Sequence, residues 1–285
     1  MLGRALVPRL LGSGAQVRAL VRSPERAAAV LPGDVDIRAL DILDSRAGEQ
    51  LPGMLDKCDA VVHAATAIPA DASAPGGWVA TARLRIEGTQ RLLAAAQLSG
   101  VRRYIQQSIA TAYPDRGDQW IDEQTPLDED PARNRICGPV REMEAMVRAT
   151  SAERLGWCIL RGGTFVGAGT VQERTIVRLR NADEPIVCGG RHFLPLVHVG
   201  DVAQAFALAL ERAPAGSVFN VNDMPIRQSD YLTRLAALVG AGAPCAAPLT
   251  ACPPSLRCSN SRAVSILGWE PTHGIWPDLS PRRAG

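Results

Sequence analysis

At 285 residues, with 46% apolar side chains, the chain is long enough to bury the core of one large α/β domain, or of one domain and a small lobe. A formal net charge of +2 gives no reason to expect nucleic acid or an anionic membrane as partner. Seven cysteines, an odd count with no C-x-x-C pair and no histidine cluster, argue against a disulfide framework and a zinc site, and no run of about 18 apolar residues is present to span a bilayer.

The chain alternates helical and strand patterns. Leu6, Val7, Leu10 and Leu11 form a helical stripe that ends at Gly12–Gly14, and Val17–Arg22 follows as a buried strand. Val35–Leu40 and Ala60–Ala65 read as the next two strands. A long helix covers Val79–Gln97, with Leu84, Leu92, Leu93 and Ala96 as its apolar face. Arg103–Gln107 is a strand, 115–131 a polar loop, Val140–Thr150 a helix and Cys158–Leu160 another strand. Val202–Leu210 is a helix for which Asp201 is the expected N-cap. Val218–Val221 is a short strand, Asp230–Val239 a helix, and 240–258, rich in Pro, Ala and Cys, a loop. This rhythm predicts a doubly wound α/β fold with a parallel sheet. Residues 1–165 are expected to form a dinucleotide-binding domain. Residues 166–285 should mostly form a lobe over the strand ends, with 196–221 returning to the sheet. Pro8 and Arg9 interrupt the N-terminal apolar residues before they read as a signal peptide, and the cysteine usage suits a reducing cytoplasm.

Six segments in order carry a family resemblance: Leu2-Gly3-Arg4-Ala5-Leu6, His63-Ala64-Ala65-Thr66, Glu87-Gly88-Thr89, Arg161-Gly162-Gly163-Thr164-Phe165-Val166-Gly167, Val197-His198-Val199-Gly200-Asp201, and Ser259-Asn260-Ser261-Arg262 with Leu267-Gly268-Trp269. Together they resemble the extended short-chain dehydrogenase/reductase superfamily, in its NAD(P)-dependent epimerase/dehydratase branch. The resemblance implies a Rossmann-like sheet, hydride transfer through a nicotinamide cofactor, and a homodimer pairing through helices like the one over Val79–Gln97. Such a domain begins with a strand and a glycine turn. Here Met1 and Leu2 stand in the place of that turn, so the first strand is expected to be missing or to lie upstream.

The resemblance assigns residues to the cofactor. Gly3 is the third glycine of the turn and would let the first helix pack closely on the sheet, its amides facing the pyrophosphate. Arg22 ends the second strand, where a guanidinium suits a 2′-phosphate; this favours NADP over NAD, with a solvated surface arginine as the alternative. Asp41 and Ile42 would meet the adenine. Ala64, Ala65 and Thr66 would let the cofactor pass, and Gly163 and Thr164 would lie near the nicotinamide.

The chemistry departs from the family pattern. Where the resemblance implies a Tyr-x-x-x-Lys pair, the helix reads Cys137 and Arg141, and Arg85 replaces an asparagine on the long helix. Arg141 keeps a charge for the cofactor ribose but carries no proton near neutral pH. Cys137 is either an inert buried thiol or a proton carrier of shifted pKa. Ser108 is the candidate polarising hydroxyl, one residue before the usual slot, which Ile109 fills; Tyr113 is the reserve acid. His63, His192 and His198 read as structural histidines. Two functions follow. One is an oxidoreductase acting on a nucleotide sugar or another carbonyl or carbinol compound with altered chemistry. The other is a catalytically silent NADP(H)-binding sensor or scaffold.

Overall fold

The computed structural model describes residues 1–69, 74, 76–247 and 252–277. In chain order it runs α1 (Leu2–Gly12), β1 (Arg18–Val21), α2 (Pro24–Ala28), β2 (Asp36–Ala39), α3 (Ala47–Met54), β3 (Ala60–His63), α4 (Val79–Arg83), a π-helical turn (Leu84–Gly88) and α5 (Thr89–Leu98). Then come β4 (Arg103–Ile109), α6 (Asn134–Ala149), β5 (Gly156–Gly162), β6 (Thr164–Val166), α7 (Val171–Arg180), β7 (Pro185–Ile186), β8 (Phe193–Leu194), β9 (Leu196–His198), α8 (Val199–Arg212), β10 (Ser217–Val221), β11 (Ile226–Arg227), α9 (Gln228–Leu238) and β12 (Cys245–Ala246).

The main sheet is parallel, in the order β10-β5-β4-β3. Alternating side chains feed two cores, as the period-2 geometry of strands requires. Ile105, Leu160 and Phe219 pack with Leu2, Leu6 and Phe206 of α1 and α8 on one face. Tyr104, Ile159 and Val218 pack with Leu51, Leu92, Leu93 and Val147 of α3, α5 and α6 on the other. Helices on both faces of a parallel sheet make this a doubly wound α/β fold. β1 and β2 pair in parallel as a separate two-stranded ladder, and neither pairs with β3. A doubly wound order would put one more strand between β1 and β3. The ladder is tethered through Arg18, which donates to Asp36 at 2.7 Å and to the carbonyls of Met54 and Asp56 at 2.7 and 3.1 Å. None of its eight residues is buried, against the expectation of a buried strand over Val17–Arg22.

Other boundaries also move. The long helix is interrupted by the π turn, whose extra residue rotates the chain; Arg85 is buried there and Leu84 is only half-buried. α6 begins at Asn134, six residues before the expected start, and continues through Pro139. Asp201 is not the N-cap of α8. His198 is, its Nδ1 accepting the Gly200 N–H at 3.2 Å. Asp201 is fully buried one turn further in, and its carboxylate accepts from the backbone N–H groups of Thr272 and His273. It thereby clasps the chain that follows Trp269, whose indole donates to the Asp201 carbonyl at 2.8 Å.

The remaining strands build the second layer. β6 pairs with β9, β8 with β11 and β7 with β12, around a core of Val166, Leu179, Leu196, Tyr231, Leu232 and Leu235. Cys188 and Cys252 form a disulfide across 64 residues of sequence. The argument against a disulfide framework does not anticipate this single bond: an odd count excludes neither one bond nor a partner far along the chain. Cys58, Cys137, Cys158, Cys245 and Cys258 remain thiols. Residues 248–251 of the expected 240–258 loop lie outside the described residues.

Candidate active site

The carboxyl ends of β3, β4 and β5 converge on the helices that follow them. α5 runs antiparallel to β3, and a Cβ on Gly88 would lie 3.5 Å from the His63 ring at the end of that strand. Arg85, one turn earlier, therefore stands beyond the strand ends. α6 does the same with its first turns.

Beneath this rim lies a buried ionic network. Glu144 of α6 takes two hydrogen bonds from the Arg161 guanidinium, at 2.9 and 2.7 Å, and a third from the Ser108 hydroxyl at 2.6 Å. Arg161 also donates to the Tyr113 oxygen at 2.6 Å, and Tyr113 donates to Asn220 Oδ1 at 2.8 Å. Asn220 is held in turn by Glu123, which accepts its N–H at 2.8 Å. One network thus locks α6, β4, β5 and β10 together. Burial disfavours the Arg161 charge, yet the Glu144 and Tyr113 contacts outweigh it and hold the guanidinium protonated. Burial pushes the Tyr113 hydroxyl well above its ordinary range. Sequence reasoning listed Arg161 only within a motif and missed Glu144. A lone Glu on a helix and a lone Arg on a strand carry no sign of each other until the fold pairs them.

The four expected catalytic residues are not brought to one point. Ser108 and Tyr113 are members of the buried network, facing inward rather than into the crevice. Ile109, the next residue on β4, is half-buried on the opposite face from Ser108. Cys137 is fully buried among Ala112, Val140 and Met143, and burial raises its thiol pKa. Arg141 donates to the Asp128 carbonyl and, at 2.9 Å, to Asn134 Oδ1, so it braces the loop before α6. None of the four is a free proton donor in this arrangement.

The expected cofactor residues form a more open row. α1 starts without a side-chain cap, which leaves first-turn N–H groups for an anion. Gly3 is exposed, and a Cβ there would meet nothing within 4 Å; the expected tight helix-to-sheet contact comes from Leu2 and Leu6 instead. Arg22 is exposed at the end of β1 and forms no ion pair among the described residues. Asp41 is exposed and accepts the Leu43 N–H at 3.0 Å, which shapes the turn after β2, and Ile42 is half-buried beside it. Ala64 is half-buried and Ala65 and Thr66 are exposed after β3. Gly163 admits no side chain, because a Cβ would lie 2.0 Å from the Pro195 carbonyl oxygen; its neighbour Thr164 is half-buried. Small residues and uncapped amides along the strand ends fit a dinucleotide.

His63 is buried at the end of β3. Its Nδ1 lies 3.2 Å from Gln106 Oε1 and 3.1 Å from Thr89 Oγ1, while Nε2 is buried with no partner among the described residues. Burial lowers its pKa to about 4, so the ring is neutral at pH 7.

Comparison with known proteins agrees with this geometry. The model of the NAD dependent epimerase/dehydratase family matches residues 1–222. A "3-diazoavenalumate denitrifying reductase" of a Streptomyces species is 32% identical, over 98% of this chain and 95% of the relative. A "4-hydroxy-2-methyl-3-oxo-4-farnesyl-3,4-dihydroquinoline-1-oxide ketoreductase" of Stigmatella aurantiaca is 31% identical, over 82% of this chain and 69% of the relative. Among solved structures, the UDP-glucose 4-epimerase of Thermotoga maritima superposes with a TM-score of 0.80 at 20% identity, covering 96% of this chain and 92% of the other. The Thermus thermophilus UDP-glucose 4-epimerase, solved with NAD, gives 0.78 at 21%, with the same coverage. With a parallel sheet wound on both faces, an open row of small residues at its strand ends and the family match across most of its length, the chain belongs to the NAD-dependent epimerase/dehydratase family.

Proposed function

We propose that this protein is a nicotinamide-dependent reductase that delivers hydride to a small organic acceptor without a tyrosine–lysine proton relay. The observation that carries this reading is the commitment of Ser108, Tyr113 and Cys137 to buried contacts, which leaves no acidic side chain among the expected ones free to protonate a substrate oxygen. A bound nicotinamide would supply the hydride. The α1 N-terminus and Gly3 would face its pyrophosphate, and Arg22, exposed and without an ion pair among the described residues, suits the 2′-phosphate of NADP(H). Ala64, Ala65 and Thr66 leave room for the cofactor, and Gly163 and Thr164 border the reacting end.

The missing relay ranks the acceptors. Reducing a ketone needs one hydride and one proton. An arenediazonium needs only the hydride: the carbon–nitrogen bond breaks, a carbon–hydrogen bond forms and neutral dinitrogen leaves. The two curated relatives are named as a denitrifying reductase and a ketoreductase, which supports an acceptor other than a nucleotide sugar. Absorbance of NADPH at 340 nm tests the reading. Consumption is expected with an aryl diazo compound, slower with a ketone, and none with UDP-glucose. Consumption only with UDP-glucose would overturn it.

A silent NADP(H)-binding protein is the second reading, favoured by the same buried contacts; it predicts cofactor binding and no consumption with any acceptor. In either reading, use of the NADP(H) pool supports a cytoplasmic protein, whereas the Cys188–Cys252 disulfide is a bond that an oxidising compartment favours. Pairing of two copies through α4 and α5 belongs to the same reading, Val79 and Leu98 being exposed on them.

A further inference from the structure

Arg85 is buried, with 6% of its surface exposed, and among the described residues it forms no ion pair. Its one described hydrogen bond is from Nη1 to the Ile136 carbonyl at 3.3 Å, in the first turn of α6. A cation withdrawn from water without a counter-charge is strongly destabilising. The other buried arginine among the described residues, Arg161, is compensated by Glu144. Burial accordingly lowers the Arg85 pKa, to about 10, and leaves it charged at neutral pH.

Its placement is specific. The π turn at Leu84–Gly88 rotates Arg85 inward, and such turns recur at functional sites. Gly88, on the same turn, lies against His63, whose Nε2 has no partner among the described residues. The guanidinium thus stands beyond the carboxyl end of β3, facing the Ile136 carbonyl and within electrostatic reach of Cys137, on the side of the sheet where doubly wound folds bind their ligands. Nothing in the proposed hydride transfer uses it.

We propose that Arg85 is a substrate-binding residue that anchors the carboxylate of an organic acid acceptor. The planar guanidinium fork matches a carboxylate with two parallel hydrogen bonds, and a monoanion neutralises one buried charge without leaving a second. The proposal names the substrate class within the reductase reading and rests on it. Its test reads binding without turnover, so the two fail separately.

Benzoate is the probe, titrated calorimetrically into the intact protein and into Arg85→Met and Arg85→Lys. Saturable binding is expected in the wild type, at least ten-fold weaker binding in Arg85→Met and partial recovery in Arg85→Lys. Benzamide, of the same shape without the charge, is expected not to bind. Equal affinity for benzoate and benzamide, or unchanged benzoate affinity in Arg85→Met, overturns the proposal, and so does tighter binding of inorganic phosphate than of benzoate. In urea without ligand, Arg85→Met is expected to raise the unfolding midpoint by removing an uncompensated charge; a lowered midpoint would mark Arg85 as structural and contradict the assignment. If either variant fails to fold, the comparison of benzoate with benzamide in the wild type decides the question.

Discussion

Glu144 receives Arg161 and Ser108 at the centre of a buried network, and its replacement would leave the guanidinium without a counter-charge. Breaking such a pair from one side costs about 3–5 kcal/mol. Glu144→Gln is therefore expected to lower the stability read by urea unfolding by that amount, whereas a rim pair such as Arg102–Asp59 contributes little when its partner is removed. His63 sets a pH dependence. Its folded pKa of about 4 lies below the ordinary 6.5, so the unfolded chain takes up the proton first as pH falls. Stability from this residue is full above about pH 6.5 and is lost towards pH 4, by roughly 3 kcal/mol from the linkage relation. The difference in unfolding midpoint between pH 7.5 and pH 4.5 should shrink in His63→Gln; an unchanged difference would contradict the assignment. Arg85 belongs to this scale as well. Its substitution for asparagine is visible in the sequence, but its burial is not, because the π turn that rotates it inward leaves no mark on the apolar periodicity of Leu84, Leu92 and Leu93.

The elements divide into a rigid set and a looser one. β5 is buried along nearly its whole length between β4 and β10. β1 and β2 make one parallel ladder of four residues each, with no buried side chain and no strand between them and β3. Hydrogen exchange should therefore be faster at the ladder amides of Ala19 and Arg38 than at those of Ile105 and Ile159, by orders of magnitude rather than a few-fold. Equal protection would mean the ladder is part of the main cooperative unit. The apolar runs around Val61, Ile105 and Ile159 make the parallel sheet readable from the sequence, since strands covered on both faces are apolar on both. The start of α6 was not readable: Gly138 and Pro139 signal a break, yet the helix passes through them because Val140, Met143 and Val147 are packed against the sheet. Asp201 looked like a cap for a similar reason. A carboxylate at a helix start has two uses, and only the fold brings the backbone of Thr272 and His273 to it.

For the whole molecule, the family could be read from the order of six short motifs, and the row of small and uncapped groups at the strand ends is where those motifs lead. The chemistry could not, because it depends on which polar side chains are left unused. Ser108 and Tyr113 are the right residue types near the right place, but the fold spends them on Glu144 and Asn220. What the fold leaves open at its strand ends fits a dinucleotide, and Arg85 is buried against α6 without an ion pair among the described residues. The central claim is that this site holds a nicotinamide cofactor, with the 2′-phosphate on Arg22. The measurement that tests it most directly is a titration with NADPH and, in parallel, NADH, followed by cofactor fluorescence, on the wild type and on Arg22→Ala. Saturable binding that favours NADPH, with the preference lost in Arg22→Ala, is the predicted result. Absence of saturable binding by either cofactor would contradict the account.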